Sequence, residues 1–150
     1  MSQVVAIDYG KVRCGIAATD DMQLIASALT TVETKNIFSF LEKYFSENKV
    51  EMLVIGLPTD LKGNLSEIET DILKFIEKVK ELFPEVEIHR FDERFTSKMA
   101  SFFISQSGKN KKQRQEKALI DKVSATIILQ NFLEQKHMIF RQIILSLKNL

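Results

Sequence analysis

Apolar and polar positions along this chain follow two periods. Val4–Ile7 is a continuous apolar run that ends at Asp8, and Gly10 and Gly15 bracket the turn into a second run, Arg13 to Thr19. A third run, about Ile25 to Val32, is rich in threonine and small apolar residues. Short runs joined by glycine turns predict an antiparallel meander. From Asn36 to Asn48 the period changes: Ile37, Phe40, Leu41, Tyr44 and Phe45 fall on one helical stripe. Met52–Gly56 is again continuously apolar, as a strand buried on both faces would be, and Gly56-Leu57-Pro58 ends it. Ser66 and Glu69 have capping-box spacing ahead of a second amphipathic stretch carrying Ile72, Phe75, Ile76 and Val79, which Pro84 stops. Val86 to Phe91 predicts another strand, running into Asp92-Glu93-Arg94. Thr96 can cap a helix from about Ser97 to Gln106, and Leu119 to Gln135 predicts a last long helix. Between these two helices, residues 109–117 contain no apolar side chain and read as a basic loop.

A meander, then helix, strand, helix, strand, implies two crossover connections, which are nearly always right-handed. The expected fold is α/β: a five-stranded mixed sheet, an antiparallel meander plus two parallel strands, with helices on both faces. The first, fourth and fifth strands then end on one edge of the sheet, where open α/β sheets bind ligands. Asp8, the Gly56–Pro58 loop and Asp92-Glu93 converge there. Side chains alternate along a strand, so only one of Asp92 and Glu93 faces the site. Asp121 stands near the start of the last helix, with Ser124, Ala125 and Ile128 on its face at one- and two-turn spacing. Two small residues there let the helix approach the sheet and bring Asp121 toward Asp8. Gathered carboxylates repel unless a cation sits among them. Oxygen-only donors favour magnesium or manganese over zinc, and His89 and His137 are too isolated to form a site. Carboxylates holding two such ions suit phosphodiester hydrolysis by a metal-activated water.

Composition narrows the setting. At 150 residues, 45% hydrophobic and 27% charged, the chain matches one ordinary globular domain. No apolar stretch approaches a spanning helix, and Met1-Ser2-Gln3 leads directly into a strand pattern without the features of a secretory signal. The single cysteine, Cys14, lies within an apolar strand and reads as a core residue in a reducing cytoplasm. The net charge of +1 hides an asymmetry: residues 1–85 hold 9 Lys+Arg and 14 Asp+Glu, whereas residues 86–150 hold 12 and 6. A basic second half points to a polyanionic partner.

Four segments together resemble the YqgF/RuvX family. They are Asp8-Tyr9-Gly10 through Arg13-x-Gly15-Ile16-Ala17, Val54-Ile55-Gly56-Leu57-Pro58, Asp92-Glu93-Arg94-Phe95-Thr96, and Ile120-Asp121 through Ser124-Ala125 to Gln130. The resemblance spans about residues 4 to 135. It implies a ribonuclease H-like fold related to Holliday-junction resolvases, with Asp8, Glu93 and Asp121 as the catalytic, metal-binding acids and Mg2+ or Mn2+ as cofactor. It prefers Glu93 over Asp92, a choice that alternation leaves open. It also implies a role in processing the 5′ end of the 16S ribosomal RNA precursor in bacterial cytoplasm. Two departures stand out. Asp60 falls in Thr59-Asp60-Leu61-Lys62-Gly63, where the family usually has an apolar residue and Asn followed by an acidic-glycine turn. The chain also continues from Lys136 to Leu150, with Ile139, Phe140, Ile143, Ile144 and Leu147 on one stripe.

The domain is therefore expected to span 1–135, with 136–150 as its helical extension, packed back on the core or used as a dimer contact. Lys11, Arg13, Arg94, Lys109, Lys111, Lys112, Arg114 and Lys117 are the candidate nucleic-acid contacts. The loop from 109 to 117 holds five of them against one acid, Glu116. A basic loop beside an acidic site can hold a polyanion against the site's own carboxylates. No patterned aromatic platform is evident, so backbone and shape recognition is expected. The expected partners are structured RNA, branched DNA or a pre-ribosomal particle, with no membrane, for a monomer or homodimer. The competing functions are a Holliday-junction resolvase-like DNase, a non-catalytic nucleic-acid-binding module, and a nucleotide-phosphate-binding domain.

Overall fold

The chain's first 33 residues form the meander. In the computed structural model β1 (Gln3–Asp8), β2 (Arg13–Thr19) and β3 (Ala26–Glu33) pair antiparallel in sequence order. The structure describes residues 1–58, 66–92 and 117–149, of which 117–123 by backbone alone. A 3-10 turn at Thr34–Asn36 leads into α1 (Ile37–Glu47). β4 (Val50–Leu57) then lies parallel to β1, and α2 (Glu69–Leu82) connects it to β5 (Glu87–Asp92), parallel to β4. The last described element is α3 (Lys117–Lys148). The five strands form one sheet in the order β3-β2-β1-β4-β5, so β1 is central. Among the described residues no helix is long and apolar enough to cross a membrane.

The alternation along each strand divides the core into two layers. Val5 and Ile7 of β1, Cys14 and Ile16 of β2, and Leu53 and Ile55 of β4 face α1 and α2, where they meet Leu41, Ile72, Phe75 and Val79. Val4 and Ala6, Ala17, and Met52 and Val54 face the opposite way and pack under Ala125, Ile128 and Leu129 of α3. Burying an aliphatic side chain of this size contributes about 1.5–3 kcal/mol, so each layer is a major source of stability. Small residues set the spacing of the α3 layer. Ser124 is 3% exposed and Ala125 fully buried, which lets the helix sit directly over β2 and its neighbours β3 and β1.

Three local readings differ from the structure. Ser66 and Glu69 form no capping box: α2 has Ile68 at its N-cap position with no side-chain cap, and the Glu69 carboxylate is engaged elsewhere. Lys117 is the first residue of α3 rather than the last of a loop. The same helix runs unbroken through residue 148, and from Met138 onward its apolar side chains are exposed rather than folded back on the core. The helix forecast over 97–106, the loop containing Asp60 and the basic stretch 109–116 lie outside the described residues.

Candidate active site at the carboxyl edge of the sheet

Asp8 is the last residue of the central strand, half-buried and opposite Gly15 of β2. By alternation it shares the α3 face with Val4 and Ala6. The hairpin that follows is tightly strapped. The Thr34 hydroxyl donates to the Gly10 carbonyl at 2.6 Å, and the Thr34 amide donates to the Val12 carbonyl at 2.9 Å. The Cys14 thiol lies 3.5 Å from the same hydroxyl oxygen. Gly10 is required by the hairpin itself: a Cβ there would stand 2.5 Å from the Arg13 carbonyl oxygen. Its lack of a side chain thus serves the turn that fixes the backbone after Asp8.

Charged hydrogen bonds join the other strand ends. Arg90 of β5 makes a bidentate pair with Glu69 at the start of α2, Nη1 to Oε2 at 3.0 Å and Nη2 to Oε1 at 2.6 Å. The same guanidinium donates to the carbonyls of Ile55 at 3.3 Å and Gly56 at 3.0 Å. One planar fork therefore ties together the ends of β4 and β5 and the first turn of α2. The Glu69 side chain is 10% exposed and that of Arg90 23%, so this is an enclosed pair rather than a solvated one. Local pattern does not reveal this pair, because Glu69 also suits a cap and Arg90 is one polar residue within a strand. The available signal was an arginine in a β-run following a helix that opens on an acid.

The remaining site expectations divide by what the structure describes. Lys11 is exposed at the hairpin tip, and Arg13 is half-buried at the start of β2, opposite Glu33. Asp92 is exposed at the end of β5, opposite Leu57. It falls on the α2 face with Ile88 and Arg90, four and two residues earlier, and so on the other side of the sheet from Asp8. Asp121 lies in the backbone of α3, one turn before the buried Ala125. Glu93, Arg94, Lys109, Lys111, Lys112 and Arg114 lie outside the described residues. Among the described residues no three acids, histidines or cysteines are grouped as a metal site. Asp8 still has the donor chemistry of one: a carboxylate at a strand end presents hard oxygen to a cation such as Mg2+. Behind it, Tyr9 packs on Phe75 with ring centroids 4.9 Å apart. Burial, and then the nearby Cys14 and Asp71, push the Tyr9 phenol above its ordinary value, so it stays protonated at neutral pH.

A 3-2-1-4-5 mixed sheet, opening with a meander and covered by helices on both faces, with an acid at the end of its central strand, defines a ribonuclease H-like α/β protein. The profile of the RuvX family, described as Holliday junction resolvase, matches residues 2–135, and the chain belongs to that family. A relative from Flavobacterium psychrophilum named "Putative pre-16S rRNA nuclease" is 51% identical over 136 residues, covering 91% of this chain and 99% of its own. Relatives of the same name from Flavobacterium johnsoniae and Bacteroides thetaiotaomicron are 48% and 47% identical, again over 91% of this chain and 99% of theirs.

Proposed function

We propose that this chain is a metal-dependent endonuclease that hydrolyses phosphodiester bonds, acting in bacterial cytoplasm on the 5′ end of the 16S rRNA precursor. The observation that carries the reading is Asp8 at the carboxyl end of the central strand, on the α3 face, in a RuvX-family chain with relatives named as rRNA nucleases. Asp8, Glu93 and Asp121 are its acids. Alternation supports this set over one with Asp92, which shares the α2 face with Arg90. The direction of α3 supports Asp121. Lys136 Nζ reaches Gln23 Oε1 at 2.9 Å, and Gln23 donates to the Ser2 carbonyl at 3.0 Å, so residue 136 lies at the amino end of β1. Fifteen residues of helix back to Asp121 span about 22 Å. The six steps of β1 from Ser2 to Asp8 span about 20 Å. The two acids therefore fall at similar heights along the sheet.

Bound magnesium or manganese, as one ion or two, would supply a water of lowered pKa and charge stabilisation at the leaving oxygen. The chain's own residues do the rest. The carboxylates supply the hard oxygen donors. The Gly10 turn and the Arg90 clamp hold the strand ends so that those donors need no reorganisation on binding. Lys11, Arg13, Arg94, Lys117 and the basic stretch from Lys109 to Arg114 hold the phosphate backbone. The nuclease domain is 1–135, and 136–150 is its helical extension.

The test is magnesium-dependent cleavage of precursor rRNA by the full chain, lost in Asp8→Asn while RNA binding persists. Binding without cleavage by the unaltered protein would make it a non-catalytic module. The RuvX description as Holliday junction resolvase favours a second substrate, so four-way DNA junctions belong in the same panel. Efficient junction cleavage with inert rRNA would replace the RNA reading. Replacing Lys111, Lys112 and Arg114 with alanine lowers the salt dependence of binding, and an unchanged slope would remove that stretch from the interface.

A further inference from the structure

α3 carries one apolar seam that outruns the sheet. Ala125, Leu129 and Leu133 are buried against the core. The same three- and four-residue steps continue through Phe140, Ile143 and Leu147, which are 63%, 53% and 61% exposed. The sheet ends between the two halves, where Lys136 meets Gln23. Beyond it the helix projects about 18 Å, at 1.5 Å per residue. Ile139 and Ile144 widen the exposed stripe, so it presents roughly 500 Å² of apolar surface, near the upper range for a monomer.

Charge indicates what covers it. After Glu134 the chain contains no acid, and Lys136, Arg141 and Lys148 lie along the overhang. The turn between β2 and β3, at the base of the overhang, is acidic and apolar: Asp20 and Asp21 stand beside the exposed Met22, Leu24 and Ile25. We infer that the overhang is a homodimer interface, in which two copies lay their α3 stripes together antiparallel. The length fits. When residues near 142 face each other, each Lys148 reaches the level of the other copy's Lys136, and hence its Asp20–Ile25 turn. Each copy then covers its partner's stripe with its own and its partner's turn with its helix tip. Stripe and turn together expose roughly 800 Å² per copy, the size of a standard interface. Such contacts are self-complementary, as a two-fold axis requires. An anionic lipid surface or a nucleic acid fits less well, because the acidic turn shares this end of the molecule. The RuvX match ends at residue 135, so the overhang lies beyond the shared region while the turn it meets lies within it.

Sedimentation velocity on the full chain tests the inference. The expected result is a monomer–dimer equilibrium in the micromolar range. Phe140→Asp with Ile143→Asp should weaken it at least tenfold, with circular dichroism unchanged because both residues are exposed. Lys148→Asp should weaken it a few-fold, and Asp21→Lys added to Lys148→Asp should restore it. A wild type that stays monomeric into the hundred-micromolar range overturns the inference, as does a dimer insensitive to the double aspartate substitution. A monomer that instead binds phosphatidylglycerol vesicles through the same residues also overturns it. None of these readouts depends on nuclease activity.

Discussion

The two ends of the central sheet are held by different means. At the carboxyl end, β4, β5 and α2 meet at an enclosed arginine–glutamate pair, and the hairpin after β1 is strapped by Thr34. At the amino end no ion pair is enclosed among the described residues: the Val4 amide donates to the buried Thr19 hydroxyl, Gln23 donates to the Ser2 carbonyl at a part-buried contact, and its bonds with Glu51 and Lys136 are exposed. Gln23 is also the one non-glycine residue with a positive φ, 58°, among those described. Beside this end lies a cavity of about 450 Å³, lined mainly by Phe45, Val50, Leu82, Phe83 and Pro84, with no cluster of acids. Among the described residues the carboxyl end is the one where an ion pair has been taken partly out of water, which favours stiff positioning of the strand ends.

Substitutions at the two ends should separate these roles. The largest effect is on activity alone: Asp8→Asn lowers cleavage by about a thousandfold. Its melting temperature should stay close to that of the wild type, as differential scanning calorimetry would record. If Asp8→Asn unfolded the protein, Asp8 would belong to the scaffold. Arg90→Ala comes next, because it strands the Glu69 carboxylate and frees two carbonyls; urea denaturation should show a loss of about 3 kcal/mol. Gly10→Ala forces the hairpin backbone apart and should cost about 2 kcal/mol, with a parallel loss of activity because the turn adjoins Asp8.

The amino end should give smaller numbers. Asp20 accepts backbone hydrogen bonds from Ile25, Leu24 and Met22, and these, led by Ile25, hold its carboxyl below the ordinary value. A carboxyl with a lowered folded-state pKa contributes stability above its unfolded value and loses it as pH falls through the folded one. Asp20→Ala should therefore lower the melting temperature modestly at neutral pH, and the difference should close below about pH 4. Lys136→Ala should change stability by less than about 0.5 kcal/mol, since its contact with Gln23 is exposed. A large effect there would mean that both ends are built alike.

Much of this was legible from residue order. β2 has its expected limits, and β1 begins one residue earlier than expected. These strands are short, apolar and bounded by glycine or charge, so local pattern and burial agree. Both crossover helices of the described chain, α1 and α2, follow their apolar stripes. The Glu69 assignment failed because the same spacing serves a cap or a distant partner, and Arg90 is 21 residues away. A local pattern does not register that competition.

The alternation of apolar residues by itself determined the sheet, its layers and the placing of Asp8 at a strand end, because side-chain direction follows backbone period. Only the folded arrangement decided that Arg90 clamps three elements, that Asp92 lies on the face away from Asp8, and that α3 outruns the sheet. Those outcomes depend on which surfaces meet and where they stop. A helical stripe continues for as long as its residues repeat, but burial ends where the neighbouring strand ends.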